Sequence, residues 1–177
     1  MNRHLLKWVA AVVFLVAIDS QAQEQFSDHH RKLGVGVSGE VAKVLVKAGD
    51  KVKAGDLLLE LNLGAYQTAL NAAGADVAYH TRALQEARAD YARADELYQE
   101  GSLSTVELQN TELSLLGAES KLAAAVEKQA WARSKLGLAR VVAPVDGTIV
   151  RRLVHPGERV IVGDHAPVQL ILEPAAD

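Results

Sequence analysis

The sequence contains no cysteine, which excludes a disulfide framework and a lipid carried on an N-terminal cysteine. Its four prolines all lie after residue 143, and phenylalanine and tryptophan occur twice each, a composition suited to a thin core. The longest apolar stretch near the N-terminus is the run from Trp8 to Ile18, short of the ~20 residues that a membrane-crossing helix requires. Catalytic patterns are missing as well: there is no Ser/His/Asp spacing, no pair of carboxylates in an apolar setting and no His-Glu-x-x-His, so the sequence argues against an enzyme. Gly34 to Gly39 satisfies G-x-G-x-x-G as a string, but a strand rather than a helix N-terminus follows it, so no phosphate site is expected. Those glycines read as a flexible lead-in. His29-His30 lacks a third ligand and reads as a polar tail, while His155 and His165 fall in turns, so neither a metal nor a cofactor is expected.

Arg3 and Lys7 precede the apolar run, and Ser20-Gln21-Ala22 follows it with small residues at the positions a processing peptidase reads. Residues 1–22 are therefore expected to be a secretory signal peptide, with release into the periplasm. Their removal takes away Arg3, Lys7 and Asp19 and changes the formal net charge from −3 to −4, which gives no electrostatic footprint for nucleic acid.

What the sequence does contain is one phrase used twice. GEVAKVLVKAGDKVKAGD at 39–56 returns as GTIVRRLVHPGERVIVGD at 147–164, a constant offset of 108 positions. Gly39, Leu45, Val46, Gly49, Val52, Gly55 and Asp56 recur unchanged as Gly147, Leu153, Val154, Gly157, Val160, Gly163 and Asp164, and Val41/Ile149, Lys43/Arg151, Asp50/Glu158 and Lys51/Arg159 keep their character. Such regularity marks one supersecondary unit used twice, the two copies burying each other's apolar faces. Alternating Ala42, Val44 and Val46 predict a strand. Ala48-Gly49 and Pro156-Gly157 predict type II turns, in which the glycine supplies a positive φ. Gly55-Asp56 and Gly163-Asp164 predict a second bend before the apolar runs Leu57 to Leu61 and Val168 to Leu172. Each half thus reads as strand, turn, short strand, bend, strand.

Between Leu63 and Val142 alanine is abundant and the apolar period becomes helical. Leu70, Val77, Leu84, Tyr91 and Tyr98 repeat every seven residues opposite Ala73, Ala87 and Ala94. Leu108, Leu115, Leu122 and Leu136 do the same with Ala118, Ala125 and Ala132, and His80 and Gln129 interrupt the two seams. Large residues facing alanines predict two closely packed helices in a coiled-coil hairpin. Gly101 ends the first, and Ser104-Thr105-Val106-Glu107 has the form of a capping box opening the second. The fold class is α+β: a β-domain made of 33–63 plus 140–174, interrupted by a helical hairpin at 64–139 with its tip near 100–104.

GVGVSGEVAKVLVKAGDKVKAGDLLLELN with Tyr66 after it, and ARVVAPVDGTIVRRLVHPGERVIVGD, are two lipoyl-like half-motifs split by a long hairpin behind a signal peptide. In this the chain resembles the periplasmic adaptor, or membrane fusion, proteins of tripartite efflux pumps of the resistance-nodulation-division class, over residues 33 to 173. The resemblance implies that the halves close into one lipoyl-like domain. It also implies that the chain bridges an inner-membrane transporter and an outer-membrane channel, as a homo-oligomer or in co-assembly with a full-length adaptor. Family members carry Arg, Leu and Ser around the hairpin turn at the spacing shown here by Arg93, Leu97 and Ser104, which the resemblance makes channel-contacting residues. They also continue into β-barrel and membrane-proximal domains, so this sequence is expected to be a short adaptor, a partner of a full-length one, or a fragment. A structural coiled-coil tether and a lipoyl or biotinyl carrier are the competing readings. A carrier needs its modified lysine where this chain has helices.

Overall fold

The computed structural model describes residues 30–163 and 168–175. The expected signal peptide at 1–22, together with His29, Asp164 and His165, lies outside them. The elements in chain order are β1 (Arg31–Leu33), β2 (Gly39–Val44), β3 (Lys51–Val52), β4 (Leu57–Leu61), α1 (Gly64–Gln99), α2 (Thr105–Leu138), β5 (Arg140–Val142), β6 (Gly147–Arg152), β7 (Arg159–Val160) and β8 (Leu170–Pro174). Two four-stranded antiparallel sheets form, in the orders β1-β8-β6-β3 and β5-β4-β2-β7. They share one core built from both halves of the chain, with Leu58, Leu59 and Leu61 packed among Ile149, Leu170 and Leu172.

The sequence repeat is a repeat of hydrogen bonds. Gly49 N–H donates to the Ile149 carbonyl and Gly157 N–H to the Val41 carbonyl, both at 2.8 Å; Val41 N–H donates to Glu158 at 2.8 Å and Ile149 N–H to Asp50 at 2.9 Å. Each of these bonds maps onto its counterpart by the 108-residue offset, and each joins one half to the other. A half-unit alone would leave all of these backbone groups unpaired. Gly49 and Gly157 take φ of 94° and 84°. In each turn an acidic residue accepts from the backbone three residues earlier: Asp50 from Lys47 at 2.8 Å and Glu158 from His155 at 3.0 Å.

Three features depart from the sequence reading. The segment at 34–38 is fastened rather than flexible, because Val35 is buried and its N–H donates to Gln169 Oε1 at 2.8 Å, while Gly36 N–H donates to the Leu138 carbonyl at 3.0 Å. Strand β1 precedes it and pairs with β8. The second copy of the final strand begins at Leu170 rather than Val168: Leu59 pairs with Val44 and Leu170 with Arg152, so the offset has grown from 108 to 111. The three extra residues fall between Gly163 and Leu170. Gly163 has no positive φ, whereas Gly55, two residues before β4, has φ 90°.

The hairpin seam is lined by Ala73, Leu84 and Ala94 of α1 and by Ala125 and Ala132 of α2, all buried. Small side chains let the helix axes approach closely. Gln129 is accommodated because Gly74 faces it: a Cβ there would lie 3.3 Å from the amide nitrogen. Tyr98, in the same heptad series, is exposed, so the seam opens at the tip. With 36 and 34 residues at ~1.5 Å rise per residue, the helices form a rod about 50 Å long.

Candidate docking site at the hairpin tip

The tip is a turn flanked by a cap on each side. At the end of α1, Ser102 N–H donates to the Leu97 carbonyl at 2.8 Å and Gly101 N–H to Tyr98 at 3.0 Å, the pair of bonds of a Schellman motif. Gly101 provides the left-handed residue with φ 73°. At the start of α2, Glu107 N–H donates to Ser104 Oγ at 3.2 Å, Ser104 N–H to Glu107 Oε2 at 3.1 Å, and Ser104 Oγ–H to the same oxygen at 2.7 Å. This is a complete capping box. The Ser104 hydroxyl and then its backbone N–H hold the Glu107 carboxyl below the usual carboxylate range.

Ser104→Ala is accordingly expected to cost about 1 kcal/mol, as an orphan N–H loses its acceptor. The Glu107 pKa is depressed in the folded state, so its contribution is complete above the unfolded pKa and disappears as pH falls through the folded one. Melts of wild type and Ser104→Ala should therefore differ most at neutral pH, and the difference should shrink on acidification to the part owed to the Glu107 N–H bond to Ser104 Oγ, which does not titrate. A constant difference down through the carboxylate range would show that Glu107 is not part of the cap.

The three residues singled out at the tip have different surroundings. Arg93 is exposed and forms an ion pair with Asp90, one turn earlier on the same helix. Leu97 is 44% exposed, and Tyr98 and Val106, at the ends of the two helices near the turn, are exposed too. Ser104 is occupied by its own cap. Between residues 90 and 112 the only basic side chain is Arg93, against six carboxylates at 90, 95, 96, 100, 107 and 112. The tip is thus an apolar cap within an acidic collar, with its one guanidinium already partnered. Further down the rod, Arg88 pairs with Glu119 at 3.2 Å and Lys128 with Asp76 at 2.7 Å, joining the helices on their exposed flanks. The bond from Lys128, followed by its charge, lowers the Asp76 pKa.

The root of the hairpin is fastened to the β-domain. Tyr66 in the first turn of α1 donates its hydroxyl to the Ser38 carbonyl at 2.5 Å, and Ser38 Oγ accepts from Val162 N–H at 2.8 Å. Tyr66 follows the first half-motif in the sequence, but its bond to the 34–38 segment is a long-range contact that no local pattern announces. Among the described residues there is no group of three His, Asp or Glu side chains able to hold a metal ion, and no helix is long and apolar enough to cross a membrane.

Residues 31–172 match the family described as RND MFP, barrel-sandwich hybrid domain. The proteins named multidrug resistance protein MdtA of Cronobacter turicensis and of Escherichia coli K12 are each 30% identical over 137 residues, covering 77% of this chain and 33% of theirs. This chain therefore spans about a third of the length of those relatives. Among solved structures, a MacA-MexA chimera containing the Pseudomonas aeruginosa MexA α-hairpin domain superposes with a TM-score of 0.58 at 24% identity, covering 84% of this chain and 47% of the chimera. ZneB from Cupriavidus metallidurans superposes with a TM-score of 0.60 at 19% identity, covering 84% and 62%. At those identities the likeness is one of fold.

Proposed function

Because the chain belongs to the family of RND-type membrane fusion proteins, represented here by the barrel-sandwich hybrid domain and its hairpin, we propose that it acts as a periplasmic adaptor in an efflux system. Its hairpin tip contacts an outer-membrane channel, and its β-domain end faces an inner-membrane transporter. The role is one of binding and spacing, with no chemical step. The observation that carries the reading is the ~50 Å rod ending in a rigidly capped turn that exposes Leu97, Tyr98 and Val106. A tip with both helix ends capped is preorganised, so docking orders little further backbone.

The test substitutes tip residues that the fold does not need. Leu97→Asp and Arg93→Ala are each expected to melt within about 1 kcal/mol of wild type, since both side chains are exposed. Each is also expected to lower cross-linking to the channel, and export, by about tenfold or more, as removal of a central anchor does. Leu97→Asp acts by placing a charge in the apolar cap; Arg93→Ala acts by leaving Asp90 unpaired at the contact. Full cross-linking and export in both variants would assign the hairpin to tethering alone.

A further inference from the structure

Two chain crossings join the hairpin to the β-domain, one from Leu61 into α1 and one from α2 into β5. They lie side by side, since Leu61 N–H donates to the Ala139 carbonyl at 3.0 Å. Two adjacent crossings define a single line about which a rod can swing, because a few residues at the ends of elements are enough to make a hinge. Whatever holds the rod at one angle must grip the helices as well as the crossings. The segment 34–38 does so at both roots. Gly36 N–H donates to the carbonyl of Leu138, the last residue of α2, and the Ser38 carbonyl accepts from the Tyr66 hydroxyl in the first turn of α1.

The two halves of the β-domain separate the bonds that this domain needs from those that serve the rod. The 108-residue offset carries 34–38 onto 142–146. Ser38 Oγ accepts from Val162 N–H at 2.8 Å, and its counterpart Asp146 Oδ1 accepts from Ala54 N–H at 2.7 Å; acceptor and donor both map by the offset. Val35 and its counterpart Ala143 each donate to the opposite half, to Gln169 Oε1 at 2.8 Å and to the Asp56 carbonyl at 2.9 Å. These bonds belong to the repeat. The two bonds to the hairpin do not. The counterpart of Gly36 is Pro144, which has no N–H to donate, and the carbonyl equivalent to that of Ser38, on Asp146, accepts from Ala175 N–H at 2.9 Å, inside the β-domain. The first copy thus departs from the second at two hydrogen bonds, and both departures reach the hairpin.

Packing agrees with the hydrogen bonds. A Cβ on Gly36 would lie 2.8 Å from Leu138 Cδ2 and 3.3 Å from Leu138 Cβ and Cγ. The missing side chain is what lets the segment lie against the last turn of α2, since the φ of Gly36 is not positive.

We infer that Gly36 and Tyr66 are positioning residues for the rod: through the 34–38 segment they fix its direction on the β-domain, which makes the molecule a rigid bracket instead of a hinged arm. The consequence is leverage. At ~1.5 Å per residue Glu86 stands about 33 Å from the root and the tip about 50 Å, so a tilt of about 10° moves them by about 6 Å and 9 Å. The direction of the rod is therefore as much a part of presenting the tip as the tip residues are. The inference concerns the free chain and stands whether or not the tip docks on a channel.

The experiment measures that direction in the full chain, whose lack of cysteine allows spin labels to be placed at Lys51→Cys on the β-domain and Glu86→Cys on α1, both exposed positions. Pulsed dipolar spectroscopy is expected to give one narrow distance distribution for the labelled chain with no other change. Tyr66→Phe removes only the hydroxyl and leaves the ring packed against the core, while Gly36→Ala pushes the segment off Leu138. Each is expected to broaden the distribution or shift its mean by up to about 6 Å, the arc of that tilt. Asp146→Ala is the control, because it strips the equivalent bond of the repeat without touching the hairpin. It is expected to lower the melting temperature and leave the distribution narrow. A distribution already broad before these substitutions, one left unmoved by Tyr66→Phe or by Gly36→Ala, or one broadened as much by Asp146→Ala overturns the proposal.

Discussion

Replacing Gly147 by alanine is expected to lower the stability of the β-domain by about 3 kcal/mol, whereas Gly39→Ala, at the equivalent place in the repeat, is expected to cost about 1 kcal/mol or less. The two glycines are identical in the sequence pattern but not in what lies over them. A Cβ on Gly147 would collide with the Glu173 carbonyl oxygen and come within 3.0 Å of Leu172 Cδ1 and 3.1 Å of the Glu173 carbonyl carbon. Backbone in a sheet has nowhere to go. A Cβ on Gly39 would meet only the Leu61 side chain, nearest at Cδ1, 3.1 Å away, a contact that a shift of a few tenths of an ångström relieves. The cause is topological: β8 runs on to Pro174 across Gly147, whereas the first half leaves its sheet after Leu61 to enter α1. Denaturant titration of the two variants decides the matter, and equal losses would contradict this account.

Removing the hairpin outright is expected to leave the β-domain folded. A chain in which 30–62 is joined to 139–175 by a short turn should unfold cooperatively, while 30–62 alone should show no transition. The root supports such a junction, since Leu61 N–H already donates to the Ala139 carbonyl at 3.0 Å and Leu57, Leu59 and Glu60 pair with β5. The isolated half fails because Leu58, Leu59 and Leu61 find Ile149, Leu170 and Leu172 only in the other half. Leaving them in water forgoes about 1.5–3 kcal/mol for each large side chain. A cooperative melt from 30–62 by itself would contradict the shared core.

The 108-residue offset made the two-half domain legible, and alanines opposite leucines did the same for the hairpin seam, because both signals are local patterns enforced by burial. Strand β1 escaped notice although the repeat extends to it: Lys32 aligns with Arg140 and Leu33 with Val141, pairs too short and too little alike to stand out beside the glycines. The three-residue insertion before Leu170 was invisible for a different reason. Counting from one end of a repeat assumes a constant register, and only the pairing of β8 with β6 exposes the slip. Gln169 adapts the fold to it. It occupies the place of Leu58, and its side-chain oxygen serves Val35 N–H where the first half uses main chain, Asp56 O accepting from Ala143 N–H at 2.9 Å. At the tip the family resemblance singled out Arg93, Leu97 and Ser104 by their spacing. It did not reveal that Arg93 is held by Asp90, because a helical neighbour three residues away is one of several partners that a long side chain can choose.

The bond between Leu61 and Ala139 bears on how fast the chain reaches its fold. Those residues are 78 positions apart, and closing a flexible loop of that length costs about 4 kcal/mol of chain entropy. Antiparallel helices form from near neighbours on a much shorter timescale than long-range strand pairing. Once α1 and α2 zip from the capped turn toward their roots, Leu61 and Ala139 arrive side by side with that entropy already spent on local contacts. The rod that reaches outward in the finished molecule is, during folding, the device that carries the two halves of the β-domain to each other.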